Sequence, residues 1–287
     1  MSRLRAYLEL GKLRLSALAV FAVIAGLYLG SPQEPDLKVV VAATVGTMLV
    51  AIAGNALNMF IERRQDRRMR RTVGRPLPTG RLTPEQVLGF GIANVVVGLA
   101  LLAVETNLLA TAICATIFVT YVLVYTPLKR VTTANTLVGA VPGALPPLVG
   151  YAAGAGHLDR HAMVLFLILF LWQIPHFLAI AWRYREDYRA GGMVMLPVVD
   201  VYGARTALQM VVYCLALVIA TLIAFTIGVA GPIYAIAALA LGIVFLAATV
   251  IAAVKRTDAA MRLCFLTSIV YLPLLFGIMV LDRPHPS

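Results

Sequence analysis

Long apolar stretches alternate with short segments rich in charge, glycine and proline along almost the whole chain. A helix needs about 20 mostly apolar residues to cross the hydrocarbon core of a bilayer, and most stretches are close to that length. The pattern therefore predicts an all-α membrane protein with nine transmembrane helices. The predicted spans are residues 15–30, 39–61, 86–104, 108–126, 136–154, 162–182, 207–228, 232–253 and 264–281. No segment between them is long enough for a soluble domain, so residues 1–287 are predicted to form a single membrane domain.

The composition is that of a membrane protein with an excess of positive charge. Of the 287 residues, 61% are hydrophobic and 13% are charged, whereas about 25% are charged in a soluble domain. The formal net charge is nevertheless +11. These values exclude an ordinary soluble domain, a disordered chain and a secreted scaffold held by disulfide bonds.

The positive charges lie almost entirely on one predicted side of the membrane. If the nine spans alternate in direction, 21 of the 24 lysines and arginines fall on the side of the amino terminus. Lys38, Arg160 and Arg283 are on the other side. Because cytoplasmic loops carry the excess of Lys and Arg, the amino terminus is predicted to be cytoplasmic and the carboxyl terminus to be outside.

The loop after the second span concentrates this charge beyond what topology requires. It contains Arg63, Arg64, Arg67, Arg68, Arg70, Arg71, Arg75 and Arg81. One interpretation is a surface that attracts anionic lipid. Another is a site for a phosphorylated substrate, because the planar guanidinium matches phosphate oxygens in pairs. Nucleic acid is not favoured as a partner, since the chain has no soluble recognition module.

Polar side chains follow one face of the second span as it approaches this loop. On a continuous helix, Asn55, Asn58, Glu62, Asp66 and Arg70 fall within about 120° of one another. Amide and carboxylate oxygens at such steps are ligands that suit Mg²⁺, which binds one or two carboxylates together with substrate phosphates. The alternative is a helix end whose acids pair with nearby arginines, but it leaves the two deeper asparagines unexplained.

The sixth span has a second polar face. Trp172, His176, Arg183 and Asp187 lie within about 60° of one another on a helical wheel, and Pro175 frees backbone carbonyls beside the histidine. A lone histidine is more often structural than a ligand. Its place on a face with Trp, Arg and Asp in a membrane helix favours a functional role.

Two further segments allow two interpretations each. Lys129 and Arg130, at the end of the fourth span after Tyr125, are either cations that snorkel to the interface or a phosphate clamp. The fifth span follows Asn135 and is rich in small residues and proline, which suits close helix packing or the wall of a cavity.

Together these motifs resemble the intramembrane prenyltransferase superfamily of the UbiA type. The first signature of that family is similar to Asn58-x-x-x-Glu62-x-x-x-Asp66 followed by Arg71-Thr72 and Arg75-Pro76-Leu77. The heme-prenylating branch is more similar still, through Lys12-x-Arg14, Asn55-x-x-Asn58, RTVGRPLPTGR, YTPLKR, NTLVGAVPGALPPLVG and WQIPHF with the following R-x-E-D-Y and GGMVMLP. The resemblance covers residues ~10–200, and the carboxyl-terminal third contributes only hydropathy.

The resemblance implies a fold and a reaction. The fold is nine helices around a central cavity that opens toward lipid and is capped by cytoplasmic loops, in the inner membrane of a bacterium. The reaction joins the farnesyl group of farnesyl diphosphate to a vinyl group of heme b with addition of water, giving heme O and diphosphate. Heme b is then a substrate, Mg²⁺ the only cofactor, and a later heme-modifying enzyme or terminal oxidase a potential partner.

The resemblance also assigns roles to particular residues. Catalysis falls to Asn58, Glu62, Asp66 and Asp187, with Mg²⁺ held by Asn58, Glu62 and Asp66 and supported by Asn55. Diphosphate falls to Arg70, Arg71, Arg75, Lys129, Arg130 and Arg183, and the heme acceptor to His176, Trp172 and Tyr188.

One departure from the superfamily pattern bears on the acceptor. Relatives that prenylate aromatic acceptors carry an aspartate-rich second motif, where this chain has His176 and Arg183 and retains only Asp187. This favours the heme branch and weakens the case for a second metal on the sixth span. A prenyltransferase for an aromatic or quinone-precursor acceptor remains the alternative. A transporter or assembly subunit without chemistry is disfavoured, since the polar faces cluster at one membrane surface rather than at the midplane.

Overall fold

The computed structural model describes residues 3–284, except for the side chains of residues 13–15, and every regular element in that part of the chain is a helix. The elements are α1 (Arg3–Gly11), α2 (Leu13–Gly30), α3 (Leu37–Asp66), α4 (Pro84–Glu105), α5 (Leu108–Val119), a π-helix (Thr120–Tyr125), α6 (Thr126–Leu128), α7 (Asn135–Ala144), α8 (Pro146–Ala155), α9 (Arg160–Arg183), α10 (Arg185–Ala190), α11 (Leu196–Val199), α12 (Ala204–Thr226), α13 (Pro232–Lys255) and α14 (Asp258–Leu281).

The predicted all-α membrane fold is confirmed. Among the described residues, eight helical segments are long and apolar enough to cross a bilayer unaided. They are Leu37–Asp66, Pro84–Glu105, Leu108–Leu128, Asn135–Ala155, Arg160–Arg183, Ala204–Thr226, Pro232–Lys255 and Asp258–Leu281. The first predicted span corresponds to α2, which passes the same test only together with α1, and the two helices meet at a bend of 50°. Each predicted span therefore coincides with helix, and the first is the exceptional one.

Side-chain caps fix several helix starts, and two helix boundaries differ from the predicted positions by five or six residues. Thr83 forms a capping box with Gln86 at the start of α4, and Asp159 accepts from two backbone N–H groups at the start of α9. Thr257 caps α14, which therefore begins at Asp258 rather than at residue 264. The second predicted span also ends later than expected, because α3 continues to Asp66 instead of ending at residue 61.

The fifth predicted span, 136–154, corresponds to one membrane-crossing segment, Asn135–Ala155, whose helix is interrupted at Leu145. α7 ends at Ala144 and α8 begins at Pro146, with Leu145 between them. Proline has no N–H group to donate to the preceding turn, and the consecutive Pro146 and Pro147 interrupt the helical hydrogen bonds at this point.

Loops at the same end of the bundle are bonded to one another. We call the end that carries most lysines and arginines the basic face; there, Glu9 of α1 pairs with Arg81. At the opposite face, Asn107 donates to the carbonyl of Ala152, and Arg283 donates to the carbonyl of Ser31. These bonds join elements that are distant in sequence, while α2 also packs against α14.

Close packing of α2 against α8 depends on glycine. A Cβ atom on Gly150 would collide with the backbone of Val23 and Leu27, and one on Gly26 would collide with the backbone of Pro147. The two helices therefore approach at backbone distance, as small residues allow in membrane proteins. Of the two interpretations open for the fifth span, the α8 half supports close packing.

We expect Gly150→Ala to lower the thermal stability of the detergent-solubilised protein. The added methyl group would push against backbone on α2, and overpacking of this kind costs about 1–3 kcal/mol. Gly89→Ala is the matched control, because a Cβ at Gly89 of α4 meets nothing within 4 Å. Equal melting temperatures for the two variants would contradict the close approach of α2 and α8.

Candidate functional site

The polar face of α3 is buried at the basic face of the bundle. Asn58, Glu62 and Asp66 are 2, 7 and 0% exposed, and Asn55 is 6% exposed. α3 has 30 residues and is about 45 Å long, whereas the hydrocarbon core measures about 30 Å. Its last turns therefore reach the interfacial region, where charged side chains can be accommodated.

Each buried carboxylate of α3 has a cation beside it. Lys129 donates to Glu62 Oε1 at 2.8 Å, and Arg75 Nη1 donates to both carboxylate oxygens of Asp66 at 2.8 Å. The second oxygen of Glu62 makes no hydrogen bond within the described part of the chain. Asp66 thus pairs with an arginine, but with one nine residues along the chain instead of one a helical turn away, and Glu62 takes its partner from a distant part of the chain. We call Asn58, Glu62, Asp66, Arg75 and Lys129 the buried charge cluster.

Electrostatics keep Lys129 charged in spite of its burial. Burial lowers the pKa of its ammonium group, but the adjacent Glu62 carboxylate outweighs burial, and the net shift of the pKa is upward. Lys12, at the junction of α1 and α2, lacks such a direct partner. Burial, together with Arg75 and Lys129, lowers the pKa of Lys12 to about 7.

A π-helix precedes Thr126, which contacts Asn58 of the buried charge cluster. The π-helix at Thr120–Tyr125 comes directly before Thr126, whose hydroxyl donates to the carbonyl of Tyr121 and accepts from Asn58 Nδ2 at 3.1 Å. Because Asn58 uses its amide nitrogen in this bond, its amide oxygen is left for a ligand. π-Helical turns are rare in proteins, and those that do occur are often found at functional sites.

Asn55 has a different environment from the rest of the polar face. Its amide nitrogen donates to the carbonyl of Gly11 and to the hydroxyl of Ser16, both at 3.2 Å. These bonds hold the bend between α1 and α2, where Lys12 has a left-handed backbone with φ 43°. Arg14, which belongs to the same sequence motif, lies outside the described side chains.

Two residues do not lie on the helical faces that the sequence predicted for them. Arg70 follows the end of α3 at Asp66, and Asp187 follows a break at Tyr184, where α9 gives way to α10. Continuous helices were assumed in both predictions, and both helices end first. Asp187 instead accepts from the backbone N–H groups of Arg70 and Arg71, at 3.3 and 3.1 Å.

The remaining predicted cations lie near the surface of the basic face. Arg183 and Arg71 lie over the ring of Tyr184, with guanidinium carbons 5.8 and 4.7 Å from its centre. Arg71 also donates to the hydroxyl of Tyr188 at 3.3 Å. Arg130 Nη1 lies 3.0 Å from the side-chain amide of Gln65.

The predicted acceptor residues of α9 face the last helix. Trp172 and His176 stack with ring centres 4.7 Å apart, and both contact Ser268 of α14. The indole N–H donates to the Ser268 carbonyl at 2.9 Å, and His176 Nδ1 lies 2.7 Å from the Ser268 hydroxyl. Nε2 of His176 makes no hydrogen bond to any described residue, although the side chain is only 7% exposed.

Comparison with known proteins identifies the family. Residues 19–272 match the UbiA prenyltransferase family. The chain belongs to that family. It is 44% identical to a protoheme IX farnesyltransferase of Solibacter usitatus over 98% of this chain and 99% of that one. It is 40% identical to another from Salinibacter ruber, over 96 and 98%.

Solved structures of the family share its fold at low sequence identity. A digeranylgeranylglyceryl phosphate synthase superposes with a TM-score of 0.81 at 19% identity, over 98% of this chain and 99% of that one. A UbiA homologue from Archaeoglobus fulgidus bound to GPP and Mg²⁺ gives a TM-score of 0.67 at 15% identity, over 96 and 99%. The helical arrangement described above is therefore that of the prenyltransferase family.

Sequence reasoning missed three residues that contact predicted ones. Ser268 lies in the carboxyl-terminal third, where only hydropathy was considered, and Ser16 and Thr126 are short hydroxyl side chains in apolar surroundings. A buried serine in an apolar span is a signal that could have identified Ser268, because polar groups at membrane depth need partners. Their partners were not accessible from sequence, since the contacts join distant helices.

We expect Lys129→Met to destabilise the protein more than a surface substitution does. It would leave Glu62 buried without its cation, and breaking a buried ion pair costs about 3–5 kcal/mol. The double variant Glu62→Gln with Lys129→Met should recover part of the lost melting temperature. Arg64→Met, at an exposed cation of the same helix end, is the control. A double variant no more stable than Lys129→Met would contradict the pairing.

Proposed function

We propose that this UbiA-family enzyme transfers the farnesyl group of farnesyl diphosphate to a vinyl group of heme b, with addition of water, to give heme O and diphosphate. The observation that carries the proposal is the buried charge cluster, in a chain that is 44% identical over nearly its full length to a protoheme IX farnesyltransferase. Two paired carboxylates and two paired cations can exchange their internal partners for a metal ion and for phosphates.

The residues present fit a magnesium ion. Within the described residues no three acidic, histidine or cysteine side chains come together as a metal cage. Mg²⁺ does not require one, since it commonly binds one or two carboxylates, substrate phosphates and waters. We assign it to Glu62 and Asp66 with the amide oxygen of Asn58, and Asn55 supports the site indirectly through the α1–α2 bend. When bound, the ion neutralises charge that develops on the departing diphosphate.

The cluster's own cations would bind and stabilise the diphosphate. Arg75 and Lys129 each have donors within the cluster, and a phosphate oxygen can replace the carboxylate that each one contacts now. Arg130 adds positive charge at its border, and Lys12 does so when it is protonated, since its pKa is about 7. Preorganised hydrogen-bond donors stabilise the charge on the leaving group without reorganisation at the moment of reaction.

Burial of the cluster also protects the reactive carbon. Loss of diphosphate leaves an allylic cation, which water would trap before a vinyl group could attack it. The low exposure of Asn58, Glu62 and Asp66 supports a reaction in the protein interior. Exclusion of water from such a site prevents side reactions.

Acceptor binding is assigned to α9 and the segment that follows it. His176 has a ring nitrogen, Nε2, without a partner, and imidazole is an ordinary ligand of heme iron. Trp172 stacks on that imidazole and fixes its orientation, together with Ser268. Tyr188 and Asp187 position the arginine-rich loop that follows α3, which we call the arginine loop, through their bonds to Arg71 and Arg70.

We also place the basic face in the cytoplasm, in the inner membrane of a bacterium. The side that holds most lysines and arginines is the cytoplasmic one in membrane proteins generally. Both substrates would then enter from the cytoplasmic side or from the lipid.

Purified protein in lipid vesicles should form heme O from heme b and farnesyl diphosphate, detected by mass spectrometry. We expect the product to disappear when EDTA removes Mg²⁺, and Asp66→Asn to lower the rate at least about 100-fold while the protein stays folded. Offering aromatic acceptors in place of heme tests the alternative acceptor class. Prenylation of those acceptors, with no heme product from folded protein, would overturn the proposal.

A separate experiment tests the acceptor side. His176→Ala should weaken heme binding about tenfold, measured as the change in the heme absorbance spectrum on titration without farnesyl diphosphate. His157→Ala is the control, because His157 is exposed near the opposite face. Unchanged spectra and affinity in His176→Ala would remove this histidine from the acceptor site.

A further inference from the structure

Some of the arginines predicted to bind phosphate line a depression on the basic face and are not part of the buried charge cluster. The volume of the depression is about 400 Å³, and it lies where the loop after α3 meets the α9–α10 junction. It is lined by Arg70, Arg71, Arg183, Tyr184, Glu186 and Asp187, which we call the arginine depression. Arg75 and Lys129, which pair with the α3 carboxylates, do not line it.

The three arginines of the depression have no carboxylate partner. In the described part of the chain, no acidic oxygen lies within 4.0 Å of the guanidinium nitrogens of Arg70, Arg71 or Arg183, whereas the guanidinium groups of Arg75, Arg81, Arg185 and Arg189 each have one. Tyr184 holds two of the guanidinium groups through its ring face. A guanidinium that stacks on a ring keeps its N–H donors at the edge available for an anion.

The acids of the depression do not neutralise it. Asp187 uses both oxygens on the backbone N–H groups of Arg70 and Arg71, so it shapes the loop rather than pairing with a guanidinium. Glu186 is bound by Arg189 at 2.6 Å. Three cations therefore face one carboxylate that is not otherwise paired with a cation, and the depression suits a ligand with two negative charges.

The axis of α9 relates the depression to the proposed acceptor site. His176 and Arg183 are seven residues apart, which puts them within about 20° of the same face and about 10 Å apart along the helix. His176 is buried in the bundle, while Arg183 ends the helix at the basic face. A flat molecule that contacts both would lie along α9 with one edge near the aqueous surface.

We propose that the arginine depression binds the two propionate carboxylates of heme, so that the porphyrin lies along α9 with its vinyl edge in the protein interior. This inference rests on the proposed function. A carboxylate dianion fits better than the diphosphate, because the buried charge cluster already supplies Arg75 and Lys129 for phosphate. The two edges of heme also match the two parts of this site: the propionate edge is polar, like the exposed depression, and the vinyl edge is apolar, like the protein interior.

The test compares two substrates and three variants in lipid vesicles. The variants are Arg71→Gln and Arg183→Gln in the depression and Arg68→Gln, an exposed arginine of the same loop that does not line it. Each is assayed with heme b and with its propionate dimethyl ester, and the KM is measured separately for heme and for farnesyl diphosphate. Heme binding without farnesyl diphosphate is followed by absorbance.

We expect Arg183→Gln and Arg71→Gln to raise the KM and the dissociation constant for heme about tenfold, because each loses a charge-assisted hydrogen bond. The KM for farnesyl diphosphate should change less than about twofold, and Arg68→Gln should resemble the unaltered protein. The diester should be a poor substrate for the unaltered protein and should be insensitive to the two depression variants.

Three outcomes would overturn the inference. They are a rise in the KM for farnesyl diphosphate alone, equal use of heme b and its diester by the unaltered protein, and an effect of the two depression variants on heme that appears only in vesicles containing anionic lipid. The first would assign the depression to phosphate and the third to lipid headgroups. Each leaves heme O synthesis by the unaltered protein intact, whereas failure of the proposed function would appear as no heme O from folded, unaltered protein.

Discussion

The pairing of buried carboxylates with cations at the end of α3 is the constraint on which the rest of the site depends. A charge in this position is costly unless an opposite charge and hydrogen bonds accompany it. Glu62 and Asp66 meet this requirement with Lys129 and Arg75, which come from two different connections at the basic face. The two pairs thereby fix where the fourth span ends and how the arginine-rich loop folds back. In the proposed reaction, a substrate that replaces one partner of each pair would find its ligands already in place.

Departures from regular helix concentrate around this cluster. The bend at Lys12, the π-helix before Thr126 and the break at Tyr184 each lie beside a polar group of the site. Regular spans can pack anywhere in a bilayer, but they cannot by themselves aim side chains from several helices at one point. Irregular turns provide that freedom where protein rather than lipid surrounds the backbone. Far from the site, packing follows ordinary rules, as in the glycine contact of α8 with α2.

The positive charge of the basic face divides into groups with different surroundings. Buried cations next to carboxylates suit an ion that carries phosphates, and stacked, exposed arginines suit the carboxylate edge of a flat acceptor. α9 connects the buried interior with the surface of the basic face, because it carries His176 in the interior and ends at Arg183. In the proposed reaction, which joins an apolar chain to a porphyrin, a dry interior protects the reactive carbon and cationic side chains at the surface bind the carboxylates of the acceptor. One helical bundle supplies both without a soluble domain.

The sequence by itself determined the spans, the side that carries the charge and the family. Backbone groups in lipid must be bonded within their own helix, so hydropathy alone marks each span. Helical periodicity also placed Asn58, Glu62 and Asp66 together. Only the tertiary structure decided their partners, because Lys129 is 67 residues from Glu62 and Ser268 is 92 from His176. The end of α9 at Arg183, which redirects Asp187 to the arginine loop, was likewise set by packing: periodicity describes a helix but does not say where neighbouring elements end it.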